Sequence, residues 1–318
     1  MLETTQREMT LALEKTSRSS VLNLARDYST TIFNSTPEMI LQGQDIPIHL
    51  GSFMPAMKAV ADFFGEDIHE GDLILHNDPA YQGSHIVDMC MYRPVFYKEK
   101  HVFWTACKGH LTDAGGPVPA SYNPEATEIF AEGLRIPPIK LWDKGKPQDD
   151  ILNMVLTNMR ARRNQEGDFR ALIGSCQVGE RNLINMLDKY GFDEVSLCID
   201  ELLSMADRHM RSLIKEIPDG SYSGTAILED AGHGLGDMEI TANLTIKDDA
   251  CNIGIISPPQ VPYFINSYEG NSYSGVYLGL MMFAQLPPPY NEGLYRCVNV
   301  NMGPKGTLCN AEDPAPLS

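Results

Sequence analysis

The sequence predicts an α+β fold, with mixed β-sheet regions on either side of a central run of long helices. Three observations lead there. Early in the chain, "GDLILHND", "MCMYRPVFY" and "HVFWTAC" are short β-rich segments parted by turn or charged residues, the pattern of a small sheet. From Asp149 to about Glu216 the apolar residues recur at helical spacing instead. After the turn signal "PDGS" the pattern returns to strands. Such an order differs from the regular alternation of a βαβ sheet. It divides the 318 residues into a mixed region at 1–148, a helical region at 149–218 and a β-rich region at 219–318.

Taken in order, "MLETTQREMTLALEKTSRSS" reads as a polar helix. "VLNLARDYSTTIF" reads as a passage from helix to strand, because β-branched and aromatic residues take over. "SFMPAMKAVADFFG" is a clearer helix. Ser52 serves as N-cap, Pro55 lies within the first turn, and Phe53, Met57, Val60 and Phe64 recur on one face before Gly65 ends the run. In the last long helix, Val195, Cys198, Ile199, Leu202 and Met205 make the expected apolar face. "MEITANLTI" and "CNIGII" flank "KDDA" as the arms of a β-hairpin. The tail, from "LPPPYNEG" to "AEDPAPLS", is rich in proline and glycine.

Composition removes several classes of function. A formal net charge of −17, from 42 acidic and 25 basic residues, disfavours nucleic acid and anionic lipid as partners. The seven cysteines are odd in number, scattered and free of any CxxC spacing, which argues for reduced thiols rather than a disulfide framework. The first residues lack the apolar core of a signal peptide, and the most apolar stretch, "GVYLGLMMFA", is far too short to span a bilayer. A soluble, cytoplasmic protein is expected. Walker-type and dinucleotide-binding glycine motifs are absent, as is a GxSxG elbow. An ATP-using reaction would therefore need another chain to bind the nucleotide.

The chemistry concentrates in two segments. "NDPAYQGSHIVD" carries Asp78 and an H-x-x-D pair, His85 and Asp88; "KGHLTDAGG" carries His110 and Asp113. Two strands separate these segments, and antiparallel pairing would bring the end of the second back beside the start of the first. His110 would then lie near His85 and Asp88. Two neutral imidazoles and one carboxylate with open positions form a catalytic set for a divalent metal. Asp78 and Asp113 are candidates for further ligands or for acceptors that orient the imidazoles. His49, at a strand-to-helix turn, is a candidate lining residue of the same cleft. Cys107 lies in an apolar strand, the setting of an inert thiol.

The chain resembles the hydantoinase B family. That family includes the B subunits of ATP-dependent N-methylhydantoinases, the matching half of 5-oxoprolinases and the α subunits of acetone and acetophenone carboxylases. "RDYSTTIFN", "QDIPIHLGSF", "GDLILHNDPAYQGSHIVD", "GHLTDAGG", "TEIFAEGLRIPPIKL", "GDFRAL" and "IPDGSYSG" carry the resemblance. It implies a divalent metal, Mn or Zn, on His85, Asp88 and His110, since the interval of 110 − 85 = 25 residues matches the family. It also implies an A-type subunit of the actin-like ATPase superfamily that binds Mg-ATP.

The implied reaction is the opening of a cyclic amide of hydantoin or oxoproline type. The alternatives are ketone carboxylation and a non-catalytic remnant or scaffold. Two departures qualify the match. Many hydantoinase-type members have a second histidine where this chain has Leu111, and family members usually continue beyond "GTLCNAEDPAPLS", which here closes at Ser318. A core left open by such an early stop would expose apolar residues toward a partner chain.

Overall fold

A computed structural model describes the chain except for residues 44, 45, 47, 286–288 and 318 and the side chain of Leu50. Part of the proline-rich tail thus lies outside the described residues. The N-terminal third runs α1 (Leu2–Thr16), α2 (Ser20–Asn23), β1 (Tyr28–Asn34), β2 (Met39–Gln42), α3 (His49–Phe64) and β3 (Leu73–His76). It continues with the hairpin β4 (Asp88–Tyr97) and β5 (Lys100–His110), then β6 (Ile139–Asp143) and β7 (Lys146–Pro147). The helices α4 (Asp149–Thr157), α5 (Arg162–Tyr190) and α6 (Phe192–Ile214) follow. The remainder is β8 (Gly220–Leu228), β9 (Met238–Lys247), β10 (Ala250–Ile256), α7 (Glu269–Ala284) and β11 (Val298–Asn301).

The architecture is the expected α+β, but its first sheet is larger than the three predicted strands. Seven strands are ordered β2-β1-β5-β4-β3-β6-β7, with every neighbouring pair antiparallel. Helices α1 and α5 cover one face, where Thr105 and Cys107 donate to backbone carbonyls of α5. Side chains alternate across a strand, so Trp104, Ala106, Lys108 and His110 share the opposite face, toward α3. Phe53, Met57 and Val60 of α3 pack there against Tyr92 and Trp104. A second sheet, ordered β11-β10-β9-β8, contains the predicted hairpin as β9 and β10.

Three local expectations differ. Helix α3 begins at His49, so Ser52 is not its N-cap; its hydroxyl donates to the His49 carbonyl, and Pro55 falls in the second turn. On α6 the buried positions are Val195, Ile199, Leu203, Met210 and Ile214, while Cys198 and Met205 are exposed. The true stripe follows the i, i+4 row, one position away from Leu202. Third, α7 is a helix where the sequence suggested only strands and turns; its apolar residues surround the helix instead of forming one stripe. Helices α7 and α3 cross closely, and a Cβ on Gly51 would lie 2.3 Å from the Ser274 Cα. None of the helices among the described residues is long and apolar enough to cross a membrane.

Candidate metal centre

The β4–β5 hairpin sets the site. Its register pairs Asp88, the first residue of β4, with His110, the last of β5. The Leu111 amide extends the pairing by donating to the Val87 carbonyl. His85 sits one turn before β4, where the Asp88 amide donates to its carbonyl and folds the H-x-x-D segment back on itself. That turn needs Gly83, since a Cβ there would lie 2.6 Å from the Asn77 carbonyl oxygen.

The structure therefore brings His85, Asp88 and His110 together. His85 Nε2 is 2.9 Å from Asp88 Oδ1, His110 Nδ1 is 3.1 Å from the same oxygen, and the two nitrogens are 3.2 Å apart. Asp88 is buried while both histidines are partly open to solvent. Burial alone would raise the Asp88 carboxyl, yet the His85 charge and hydrogen bonds from both imidazoles hold it well below the usual carboxylate range. Burial acts to lower His110, but its hydrogen bond to Asp88 and the charges of Asp88 and Asp27 raise it overall. Among the described residues these three side chains form the group whose ligand atoms are close enough to share one metal ion.

The other candidates divide. His49, the buried first residue of α3, does line the cluster. Its Nδ1 is 3.0 Å from Ser29 Oγ, and its Nε2 is 3.9 Å from Asp88 Oδ2. Burial pushes this imidazole down to about 3, so it stays neutral. Asp78 and Asp113 turn elsewhere. Asp78 caps a short 3-10 turn and accepts from Arg135 at 2.7 Å. Asp113 accepts from the Arg160 guanidinium and from the amides of Gly115, Ala120 and Arg160, which fixes its loop. Neither makes a hydrogen bond or ion pair to the three clustered residues. All seven cysteines are free; buried Cys107, next to Cys176, has its thiol pushed well up by burial.

Asp27 was not expected. Its carboxylate is 3.7 Å from His49 Nε2 and 3.9 Å from His110 Nδ1, and its carbonyl accepts the His110 amide. Burial raises its carboxyl, opposed by His110 and reinforced by Asp88. The signal for it is the pairing of β1 with β5, which sets Tyr28 opposite Gly109. A large cavity lies elsewhere: about 800 Å³, almost wholly apolar, lined among others by Leu244, Ile253, Val276, Leu280 and Phe283 of the second sheet and α7.

The hydantoinase B/oxoprolinase family model matches residues 1–318. The chain is 71% identical over 315 residues to caprolactamase subunit beta of Pseudomonas jessenii, covering 99% of this chain and 54% of that protein. The crystal structure of ATP-dependent caprolactamase from Pseudomonas jessenii superposes with a TM-score of 0.95 at 70% identity, over 99% of this chain and 55% of that one. A nucleotide-free acetone carboxylase structure superposes with a TM-score of 0.89 at 19% identity, over 99% of this chain and 44% of that one; this likeness concerns the fold alone. The chain spans about half the length of the first curated relatives it matches. It belongs to the hydantoinase B/oxoprolinase family.

Proposed function

We propose that this chain is the metal-bearing portion of a subunit in an ATP-dependent enzyme that opens cyclic amides, with lactams as the substrate class. The observation that carries the reading is the convergence of His85 Nε2, His110 Nδ1 and Asp88 Oδ1 at separations of 2.9–3.2 Å. Nitrogen and oxygen donors about 2.0–2.2 Å from one ion lie roughly 2.9–3.4 Å from each other, so the donor set fits a divalent metal such as Mn or Zn. Asp27, 3.9 Å from His110 Nδ1, and His49, 3.9 Å from Asp88 Oδ2, border the three without joining the close ligand group. The ion would supply Lewis acidity, polarising an amide carbonyl or lowering the pKa of a water. Neutral His49, beside Asp88, is the group placed to orient that water or the carbonyl.

The lactam class is supported by the high identity to a caprolactamase subunit, and the dependence on a nucleotide by the likeness to the ATP-dependent caprolactamase structure. This chain lacks the glycine motifs that cradle phosphates, so Mg-ATP belongs on a partner of A type. A ketone carboxylase shares the fold, but a shared fold does not carry a reaction.

The test is elemental analysis of the wild type and of His110→Ala, both purified without added metal. Near-stoichiometric Mn or Zn in the wild type, lost in the variant while its circular dichroism is unchanged, is the expected result. Equal metal content in both proteins would remove the site, and with it the reading.

A further inference from the structure

Behind the cluster lies a charge that the proposed chemistry does not use. Lys108 is two residues before His110 on the same face of β5, and its side chain is completely buried. Its ammonium, 5.1 Å from the Phe53 ring centroid, donates to Ser52 Oγ at 2.5 Å and to Ser84 Oγ at 3.1 Å, and makes no direct ion pair among the described residues. An ammonium buried without an anion is costly by several kcal/mol, so the negative charge that balances it must be near. Asp88 is one hydroxyl away: Ser84 Oγ is 2.5 Å from Asp88 Oδ2.

The proton directions follow from the donors. An ammonium has only protons to give. Ser84 therefore accepts from Lys108 and donates to Asp88. Ser52 likewise accepts from Lys108 and donates to the His49 carbonyl. The two oxygens of Asp88 are thus divided, Oδ2 toward Ser84 and Oδ1 toward His85 and His110. A carboxylate held at one oxygen presents the other in a fixed direction.

We propose that Lys108 is the resident counter-charge and positioning residue of Asp88, acting through the Ser84 hydroxyl, and that it keeps the His85–Asp88–His110 site formed when no metal is bound. The inference rests on the metal reading only for its last clause. An arriving dication would take over part of the balancing of Asp88, so the contribution of Lys108 is largest in the metal-free protein. Ser52 extends the same cation to the first turn of α3, which places His49.

A double-mutant cycle on chelator-treated protein tests this, read as melting temperature. Lys108→Met should lower the melting temperature by about 5 °C or more, the scale expected for stranding one partner of a buried charge pair. In an Asp88→Asn background the same replacement should cost less than half as much, because the anion it served is gone. Equal losses in both backgrounds would overturn the proposal. Adding Mn²⁺ or Zn²⁺ alone should then raise the melting temperature of Lys108→Met more than that of the wild type; an equal rise in both contradicts the counter-charge role. If neither ion shifts the wild type, the metal reading fails, while the cycle in stripped protein still decides the role of Lys108. Should Lys108→Met not fold, Ser84→Ala enters the same cycle. A loss that vanishes with Asp88→Asn supports the bridge, and one that persists removes it.

Discussion

The two sheets of this chain are made of strands of similar length in opposite surroundings. The first eight residues of β4 are buried, and β5 is buried from Val102 through Gly109, between α5 on one side and α3 on the other. Strand β8, at the edge of the second sheet, is exposed at each of its nine positions, and the apolar face of that sheet opens onto a cavity of about 800 Å³. The difference shows where polar residues carry meaning. Inside the first sheet an aspartate or a lysine is desolvated and is costly unless partnered, so Asp88 and Lys108 are informative. On the second sheet the apolar side chains that line the cavity are the unusual feature.

Four measurements test that contrast, in order of expected size. The largest concerns Trp104, fully buried in β5. Trp104→Ala should cost about 3–5 kcal/mol in urea unfolding, and a loss below 1 kcal/mol would mean that the first sheet is not the packed element. Second comes a pH effect of enclosure. Glu132 packs beside the first sheet, with the Leu317 amide on its Oε1 at 2.5 Å. Burial pushes its carboxyl up to about 8, only partly offset by that amide and by Arg135.

The folded state thus holds a proton that the unfolded chain releases near 4.5. Its contribution to stability is full below that value and is lost as pH rises toward about 8, a change on the order of 5 kcal/mol at most. Glu132→Gln should flatten the stability–pH profile across this window; an unchanged slope would refute the assignment. Third, Gly51→Ala forces a Cβ against the α7 backbone and should destabilise by about 1–3 kcal/mol. A neutral result would show that α3 and α7 separate easily. The smallest is Ile227→Ala, on exposed β8. It should change stability by no more than about 0.5 kcal/mol, and a core-sized loss would mean that the second sheet is covered after all.

The legible part of the site was the part carried by one hairpin. His85 and Asp88 enter β4 and His110 leaves β5, so local pairing of two recognisable strands sufficed to predict their meeting. Asp27 escaped because its position depends on β1 joining the outer edge of that hairpin, a pairing between residues about eighty apart with no local signature. Asp78 and Asp113 looked like ligands by neighbourhood, but Arg135 and Arg160 claim them, and a sequence does not reveal which partner a carboxylate will find. Lys108 was not singled out by the sequence; the two serines converging on its ammonium distinguish it. Among the elements, α7 was hidden by its composition, since a helix apolar on all sides gives no periodic stripe.

The contact at Gly51 has a mechanical consequence. Helix α7 meets the first turn of α3 backbone to backbone, between His49 and Ser52, with no side chain to absorb a displacement. The opposite side of α7, at Val276, Leu280 and Phe283, forms a wall of the apolar cavity. A body seated in that cavity would therefore press on a helix whose other side abuts the turn holding His49 and Ser52, with only a glycine between the two backbones.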